Sequence, residues 1–378
     1  MDANGTTAAP APSRPPHDRW LAVVSGEAVG PAAALARLGL SLLALPYRAG
    51  LAAGNLRWRL PGVVKRAPCP VISVGNLTVG GTGKTPMVAY LAGLVTAMHR
   101  RPLIVSRGYG RTSAGPNEEA LELARLCPDV PHVQNPDRLR AVADWAADHP
   151  CDVAILDDGF QHRRLARDLD IVLIDALCPF GYGRVLPRGL LREPVSALRR
   201  ADVVVVTRAD LADADDLARL KRALADLVGL DVPLLTAEHR ATAVILPDGS
   251  RRAADWLRGQ DVAAACGIGN PEAFRRTLEA LGARVRLFRT FRDHHAYTRE
   301  DLDGLVRESL AAGVKTLVTT GKDHVKWLPL GVGGMGAMGA PALGVAALEV
   351  ALRIVDGEEA LRRRIGTLLA GSAREAGR

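Results

Sequence analysis

The run most able to do chemistry is VGNLTVGGTGKTP at residues 74–86, where a glycine-rich stretch ends in Gly83-Lys84-Thr85. Glycines let backbone N–H groups turn inward onto phosphate oxygens, and a helix opening at that point adds the positive end of its dipole. A lysine placed as Lys84 reaches β- and γ-phosphates, and a hydroxyl placed as Thr85 binds Mg2+. The loop expected to hold a nucleotide is therefore Thr78, Val79, Gly80, Gly81, Thr82, Gly83, Lys84 and Thr85. Pro86 suits a first helical turn, where no donor is lost. The usual G-x-x-x-x-G-K-[ST] pattern has glycine where this chain has Thr78, with Gly80 and Gly81 flanking it.

A second signal is AILDDGFQHRRLARDLDIVLID at residues 154–175. Asp157 and Asp158 close an apolar run, the place where a P-loop enzyme needs a carboxylate in its metal shell. Alone, two such aspartates could simply cap the next element. With a phosphate loop upstream, the metal role for Asp157 is the better reading. Asp158 reads either as a second metal ligand or as the residue that orders the following GFQH loop.

Together these two strings resemble the tetraacyldisaccharide 4'-kinase family. Further segments follow in that family's order: SRGYGR at 106–111, LPRGLLREP at 186–194, GIGNPEAF at 267–274, FRDHHAY at 291–297 and TTGKDHVK at 319–326. The resemblance implies an ATP- and Mg2+-dependent lipid kinase. Its acceptor would be the 4'-hydroxyl of a membrane-bound tetraacylated glucosamine disaccharide 1-phosphate in lipid A biosynthesis. The family usually reads G-D-E-A-L after SRGYGR, and this chain has Gly115-Pro116-Asn117-Glu118-Glu119-Ala120-Leu121. That register puts Glu118 in the place of the family's catalytic acid and Glu119 beside the metal, with His294 of the DHH segment as the partner of Glu118. Lys84 and Asp157 complete the catalytic set. Glutamate is one methylene longer than aspartate, and a misplacement of about 1 Å costs on the order of a hundredfold in rate. His295 is a less certain neighbour, and His162 reads as structural or substrate-facing. Arg107, Arg111, Arg188 and Arg192 are candidates for the substrate's anionic groups, since a planar guanidinium binds phosphate through paired donors. Each is otherwise a surface arginine. Lys322 and Asp323 follow Gly321, where the family usually has glutamate, and are expected to serve the fold or the nucleotide pocket.

These residues need elements to position them. Apolar runs at 71–74, 103–106, 153–156, 171–174 and 203–207 predict parallel strands covered on both faces, with helical patterns at 87–99 and 138–148 between them. A second set has strands at 262–266, 285–288 and 316–319 and helices at 271–281 and 299–312. The expected fold is α/β: a P-loop NTPase-like, doubly wound, mostly parallel sheet with a second, smaller α/β domain. The expected divisions are a disordered tail at 1–16, a membrane-associated helical segment at 17–66, a P-loop kinase core at 67–230 and a C-terminal α/β domain at 231–378. The glycine-rich run 331–344 reads as a surface loop.

The apolar run at 31–45 is shorter than a membrane-spanning helix, and Arg48, Arg57, Arg59, Lys65 and Arg66 follow it. A helix lying on an anionic membrane surface suits that pattern, and a helix packed on the protein's own core is the alternative. The expected location is the cytoplasmic face of the inner membrane, peripheral or with one N-terminal anchor. A net charge of +8 favours an anionic partner. No RRM-like aromatic pattern or zinc-finger spacing points to nucleic acid, and no obligate protein partner is inferred. The five cysteines are scattered and read as reduced. Two rival readings remain: a nucleotide switch, from the faint guanine-reading echo in Thr207-Arg208-Ala209-Asp210, and a degenerate homologue that binds ATP without transfer.

Overall fold

The computed structural model describes residues 16–108, 118–293, 295–331 and 343–375, and their side chains except at 16–18, 118–119 and 372–375. His294, Arg111, nearly all of the tail and most of the 331–344 run lie outside the described residues, as do the side chains of Glu118 and Glu119.

The chain opens with α1 (Pro16–Ser25) and α2 (Pro31–Arg57). The next elements are β1 (Val71–Asn76), α3 (Lys84–Ala97), β2 (Pro102–Ser106), α4 (Glu118–Leu126), β3 (His132–Gln134), α5 (Arg138–Asp148), β4 (Val153–Asp157), β5 (Leu169–Asp175), β6 (Val203–Thr207) and α6 (Ala214–Val228). Then come β7 (Leu234–Ile245), β8 (Arg251–Ala253), β9 (Asp261–Cys266), α7 (Pro271–Ala280), β10 (Arg284–Thr290), α8 (Arg299–Ala311), β11 (Thr316–Thr320), α9 (Gly321–Trp327), β12 (Gly344–Asp356) and α10 (Glu358–Glu375).

β1, β2, β4, β5 and β6 are buried along their whole length. Continuous Val/Ile/Leu runs require this when helices cover both faces of a sheet. Met87, Leu91 and Val95 of α3, with Leu361, Ile365 and Leu369 of α10, cover one face. Leu220 and Leu224 of α6 help cover the other. The strand order is β10-β9-β11-β12-β7-β6-β5-β1-β4-β2-β3, with β8 against β7. Pairing is parallel except at β7–β12 and β7–β8, so the α/β, mostly parallel expectation holds. β1 lies between β4 and β5, and the crevice beyond its carboxyl end is where an open sheet of this kind binds ligands.

The β7–β12 pair is not among the expected strands. Its burial is irregular, because much of it is joined to one neighbour only. β7 meets β6 through residues 234–236, β12 meets β11 through 344–348, and between those ends the two run as a ribbon. The expected division at 230/231 falls just before β7, and the sheet continues across it.

α2 is longer than the expected apolar run and passes through Pro46. Leu35, Leu38, Leu42, Leu43 and Leu45 on it are exposed. Arg37, the charge within the apolar run, donates to the carbonyls of Val23 and Ala28 and so ties α1 to α2. Among the described residues, no helix is long and apolar enough to cross a membrane.

Burial depresses His132 to about 4, His162 to about 4 and His239 to about 3, from an ordinary 6.5, and lowers His324 as well. The folded protein keeps them neutral, while the unfolded chain takes up protons as pH falls through about 6.5. Stability from this source is therefore complete above that pH and is lost between it and the depressed values, by at most about 1.4 kcal/mol per pH unit for each histidine and by less for the half-buried His162. The urea midpoint is expected to fall between pH 6.5 and 4.5, and to fall less steeply in His132→Gln. An identical pH slope in parent and variant would contradict burial of a neutral imidazole there.

Candidate active site

β1 delivers the chain to the glycine loop, and α3 starts directly at Lys84. α5, α6, α7 and α8 are capped by the side chains of Asp137, Asp213, Asn270 and Thr298. α3 has Gly83 at its N-cap, with φ 90° and no side-chain cap. Its first amides are thus left for an anion, which is the local geometry a phosphate loop requires. Gly83 is also required by space: a Cβ there would lie 2.6 Å from Cε1 of His239.

The loop is held from behind by residues that sequence reasoning missed or read otherwise. Thr207 Oγ1 donates to the Thr82 carbonyl at 3.0 Å, and Arg208 Nη1 donates to the Gly81 carbonyl at 3.1 Å. Arg208 also pairs with Asp175 at 3.4 Å, and Asn270 Nδ2 donates to Asp175 Oδ2 at 3.3 Å. The segment weighed as a guanine reader therefore braces the phosphate loop. Thr78 and Val79 face the LPRGLLREP segment: Val79 N donates to the Leu190 carbonyl, and Thr78 forms a bridge with Leu191. Gly80 through Pro86 line the cavity in front.

Lys84 Nζ lies 3.3 Å from Asn76 Oδ1 and 3.7 Å from Asp158 Oδ1. Arg192 Nη1 holds both oxygens of Asp158, at 2.9 and 2.7 Å. Burial pushes the Asp158 carboxyl up, but the charges of Lys84 and Arg192 outweigh it and hold the group below the usual carboxylate range. Asp158 has a left-handed backbone, φ 54°, and Arg138 supports that turn by donating to the carbonyls of Asp157 and Asp158 at 2.9 and 3.0 Å. Asp157, buried at the end of β4, and Thr85 both line the same cavity. Their oxygens match what a hard cation such as Mg2+ takes alongside phosphate oxygens and water.

The cavity has a volume of about 520 Å3 and runs from the loop to Ile268, Gly269, Asn270 and Phe274 on the C-terminal side. Among the described residues, seven lysines and arginines line it against four acidic side chains, a balance suited to a polyphosphate. Arg107, Arg192 and Lys322 are on this lining. Arg188 instead donates to the Val24 carbonyl of α1. Asp323 is buried, accepting from Gly267 N and Thr320 Oγ1, so it serves the fold. His295 pairs with Asp301 at 3.0 Å. Arg138 and His239 carried no local signal and that of Arg208 pointed elsewhere, since an arginine's or histidine's role depends on partners not adjacent in sequence.

Loop, helix and acid stand where P-loop phosphotransferases hold a nucleoside triphosphate, and this fold and site define that class. Within the class, residues 36–370 match the family described as Tetraacyldisaccharide-1-P 4'-kinase, LpxK. The chain belongs to that family. The tetraacyldisaccharide 4'-kinase of Anaeromyxobacter dehalogenans strain 2CP-C is 43% identical over 325 residues, 80% of this chain and 84% of the relative. That of Syntrophus aciditrophicus strain SB is 41% identical over 296 residues, 70% of this chain and 77% of the relative. A crystal structure of LpxK from Aquifex aeolicus in complex with ATP aligns with a TM-score of 0.65 at 30% identity, covering 88% of this chain and 99% of that one.

Proposed function

We propose that this protein transfers the γ-phosphate of ATP to the 4'-hydroxyl of a tetraacylated glucosamine disaccharide 1-phosphate, a step of lipid A biosynthesis. One observation carries the reading beyond a generic P-loop enzyme. Tyr47 of the exposed apolar helix α2 donates to the carbonyl of Arg192 at 2.9 Å, and the guanidinium of Arg192 holds Asp158 beside Lys84. A surface that suits acyl chains is thereby fastened to the phosphate site.

In this reading the uncapped amides of α3 and Lys84 bind the β- and γ-phosphates, and Ile268 and Phe274 flank the base. Thr85 and Asp157 would hold Mg2+, with Asp158 and Glu119 as the further carboxylates of its shell; the ion would neutralise phosphate charge. Arg192 and Arg107 are placed for the acceptor's anionic groups. Glu118, supported by His294, takes the proton of the sugar hydroxyl. Residues 67–230 supply the phosphate loop, and 231–378 supply the facing wall.

Incubation with radiolabelled ATP and the disaccharide in detergent should place label on the lipid, with unlabelled ATP competing better than GTP. Label that stays in the nucleotide at enzyme in excess over lipid would sink the reading.

The location follows from α2. Its exposed leucines enter the headgroup region of the cytoplasmic leaflet, and Arg48, Arg57 and Arg59 meet anionic lipid. No nucleic acid or obligate protein partner is invoked. Leu38→Ser/Leu42→Ser removes two apolar side chains worth roughly 1.5–3 kcal/mol each when fully buried. It should weaken binding to phosphatidylglycerol-containing vesicles at least about tenfold while leaving ATP binding unchanged. Equal sedimentation of parent and variant with vesicles would refute the placement.

A further inference from the structure

Arg125 lies in the last turn of α4, seven residues after Glu118. Its guanidinium reaches the β7–β12 ribbon, where Nη1 stands 3.0 Å from Oε1 of Glu349, a side chain only 6% exposed. Arg251 takes the other Glu349 oxygen at 2.6 Å. The ladder shifts register between Glu349 and Val350, so Arg125 meets the ribbon at an irregularity. On the same guanidinium lies Gly321, the first residue of α9. A Cβ at 321 would come within 3.1 Å of Arg125 Cζ and 3.4 Å of Nη1, and nearer still to Nη2. The seat exists because residue 321 has no side chain. Glu122, Arg125 and Gly321 all line the cavity.

A helix of nine residues cannot fix its own direction, since isolated helices of that length are marginal. Tertiary contacts must orient α4. Leu123 is buried in the core on the P-loop side, and Arg125 makes the contact with the far half. A planar guanidinium packed between a buried carboxylate and a helix start fixes how closely the three can approach one another.

We propose that Arg125 is a positioning residue for phosphoryl transfer. Seated against Gly321 and paired with Glu349, it fixes where the first turn of α4 stands relative to the phosphate loop and the ribbon. The proposal rests on the reading of that first turn as the source of the base.

Gly321→Ala tests it without removing any charge, because the added methyl displaces the guanidinium. We expect kcat to fall about ten- to a hundredfold, with KM for ATP within about twofold and Tm within a few degrees of the parent. Arg125→Ala should show the same split. The double variant should be no worse than Arg125→Ala alone, since both changes remove one seat. Arg125→Lys, which keeps the charge but not the fork, should recover only part of the loss. Additive losses, or a fall in kcat matched by losses in ATP binding and Tm, would overturn the proposal. Glu118→Gln and Glu119→Gln, assayed alongside, separate it from the reading it rests on. If both stay active while residues 125 and 321 remain coupled in kcat, the base assignment fails and the positioning role stands. If Glu118→Gln is inactive while Gly321→Ala and Arg125→Ala turn over like the parent, the positioning role fails alone.

Discussion

Lys84→Ala is expected to lower phosphoryl transfer by at least about a thousandfold, with a smaller effect on ATP affinity. The ammonium lies at the start of α3, 3.3 Å from Asn76 Oδ1 and 3.7 Å from Asp158, with little exposure. It therefore reaches its position with few rotamers left to lose. Negative charge shifts toward the leaving β-phosphate as the bond to the transferring group breaks, so a cation preplaced at the β- and γ-phosphates stabilises the transition state more than bound ATP. Removal of a single such donor costs about 10^2–10^3 in kcat elsewhere. Here a second loss adds to it. Lys84 is the foremost charge holding the Asp158 carboxyl down against burial, and without it that group relies on Arg192. Lys84→Arg separates charge from shape, and should restore the state of Asp158 while fitting the phosphates poorly. Turnover of Lys84→Ala within a factor of ten of the parent, in a radiolabel assay at saturating ATP, would remove Lys84 from the chemistry.

Glu118→Gln is the second large effect, expected at about 10^2–10^4 in kcat. The amide keeps the size of the side chain but cannot take a proton from the sugar hydroxyl. Residue 118 opens α4, so the position is fixed by the backbone even though the assignment itself comes from the family register. ATP affinity should stay within about threefold, because the nucleotide is held by the loop and α3. Glu118→Asp tells how the site accommodates the longer acid. Loss in both variants would mean that the backbone here is set for glutamate. Parent-like turnover in Glu118→Gln with loss in Glu119→Gln would move the register by one residue. Activity in both single variants would place the base elsewhere.

What could be read from the sequence depended on whether a role is local. Lys84 and Thr85 follow Gly83 in covalent order, so their relation to a phosphate is fixed by one turn of helix. Asp157 was legible because the apolar strand before it is continuous and the acid marks its end. Most of the parallel strands were found for the same reason, whereas β3, three residues long and only partly buried, was missed. β7 and β12 were missed because much of each pairs on one side only, leaving irregular burial instead of an unbroken apolar run. Thr207 and Arg208 looked like half of a base-reading motif, and their actual partners, the carbonyls of Thr82 and Gly81, are more than 120 residues away in the chain. Arg138 was silent too, because its partners, the carbonyls of Asp157 and Asp158, lie 19 and 20 residues on, across a helix and a strand. Of four arginines singled out, Arg107 and Arg192 reach the cavity, Arg188 ties down α1, and Arg111 lies outside the described residues. Nothing in their flanking text distinguishes these fates.

The β7–β12 ribbon has a mechanical meaning. Two-stranded ribbons twist more readily than wide sheets, and this one joins the strands behind the phosphate loop to those behind Ile268 and Phe274. The gap between those walls is therefore set in part by the twist of a pair of strands, with the Asn270–Asp175 contact crossing it directly. Its ladder is interrupted at Glu349/Val350 and again at Ile354/Asp356. Each interruption adds local twist to the ribbon, so the span of the nucleotide site depends on where along those two strands the extra residues fall.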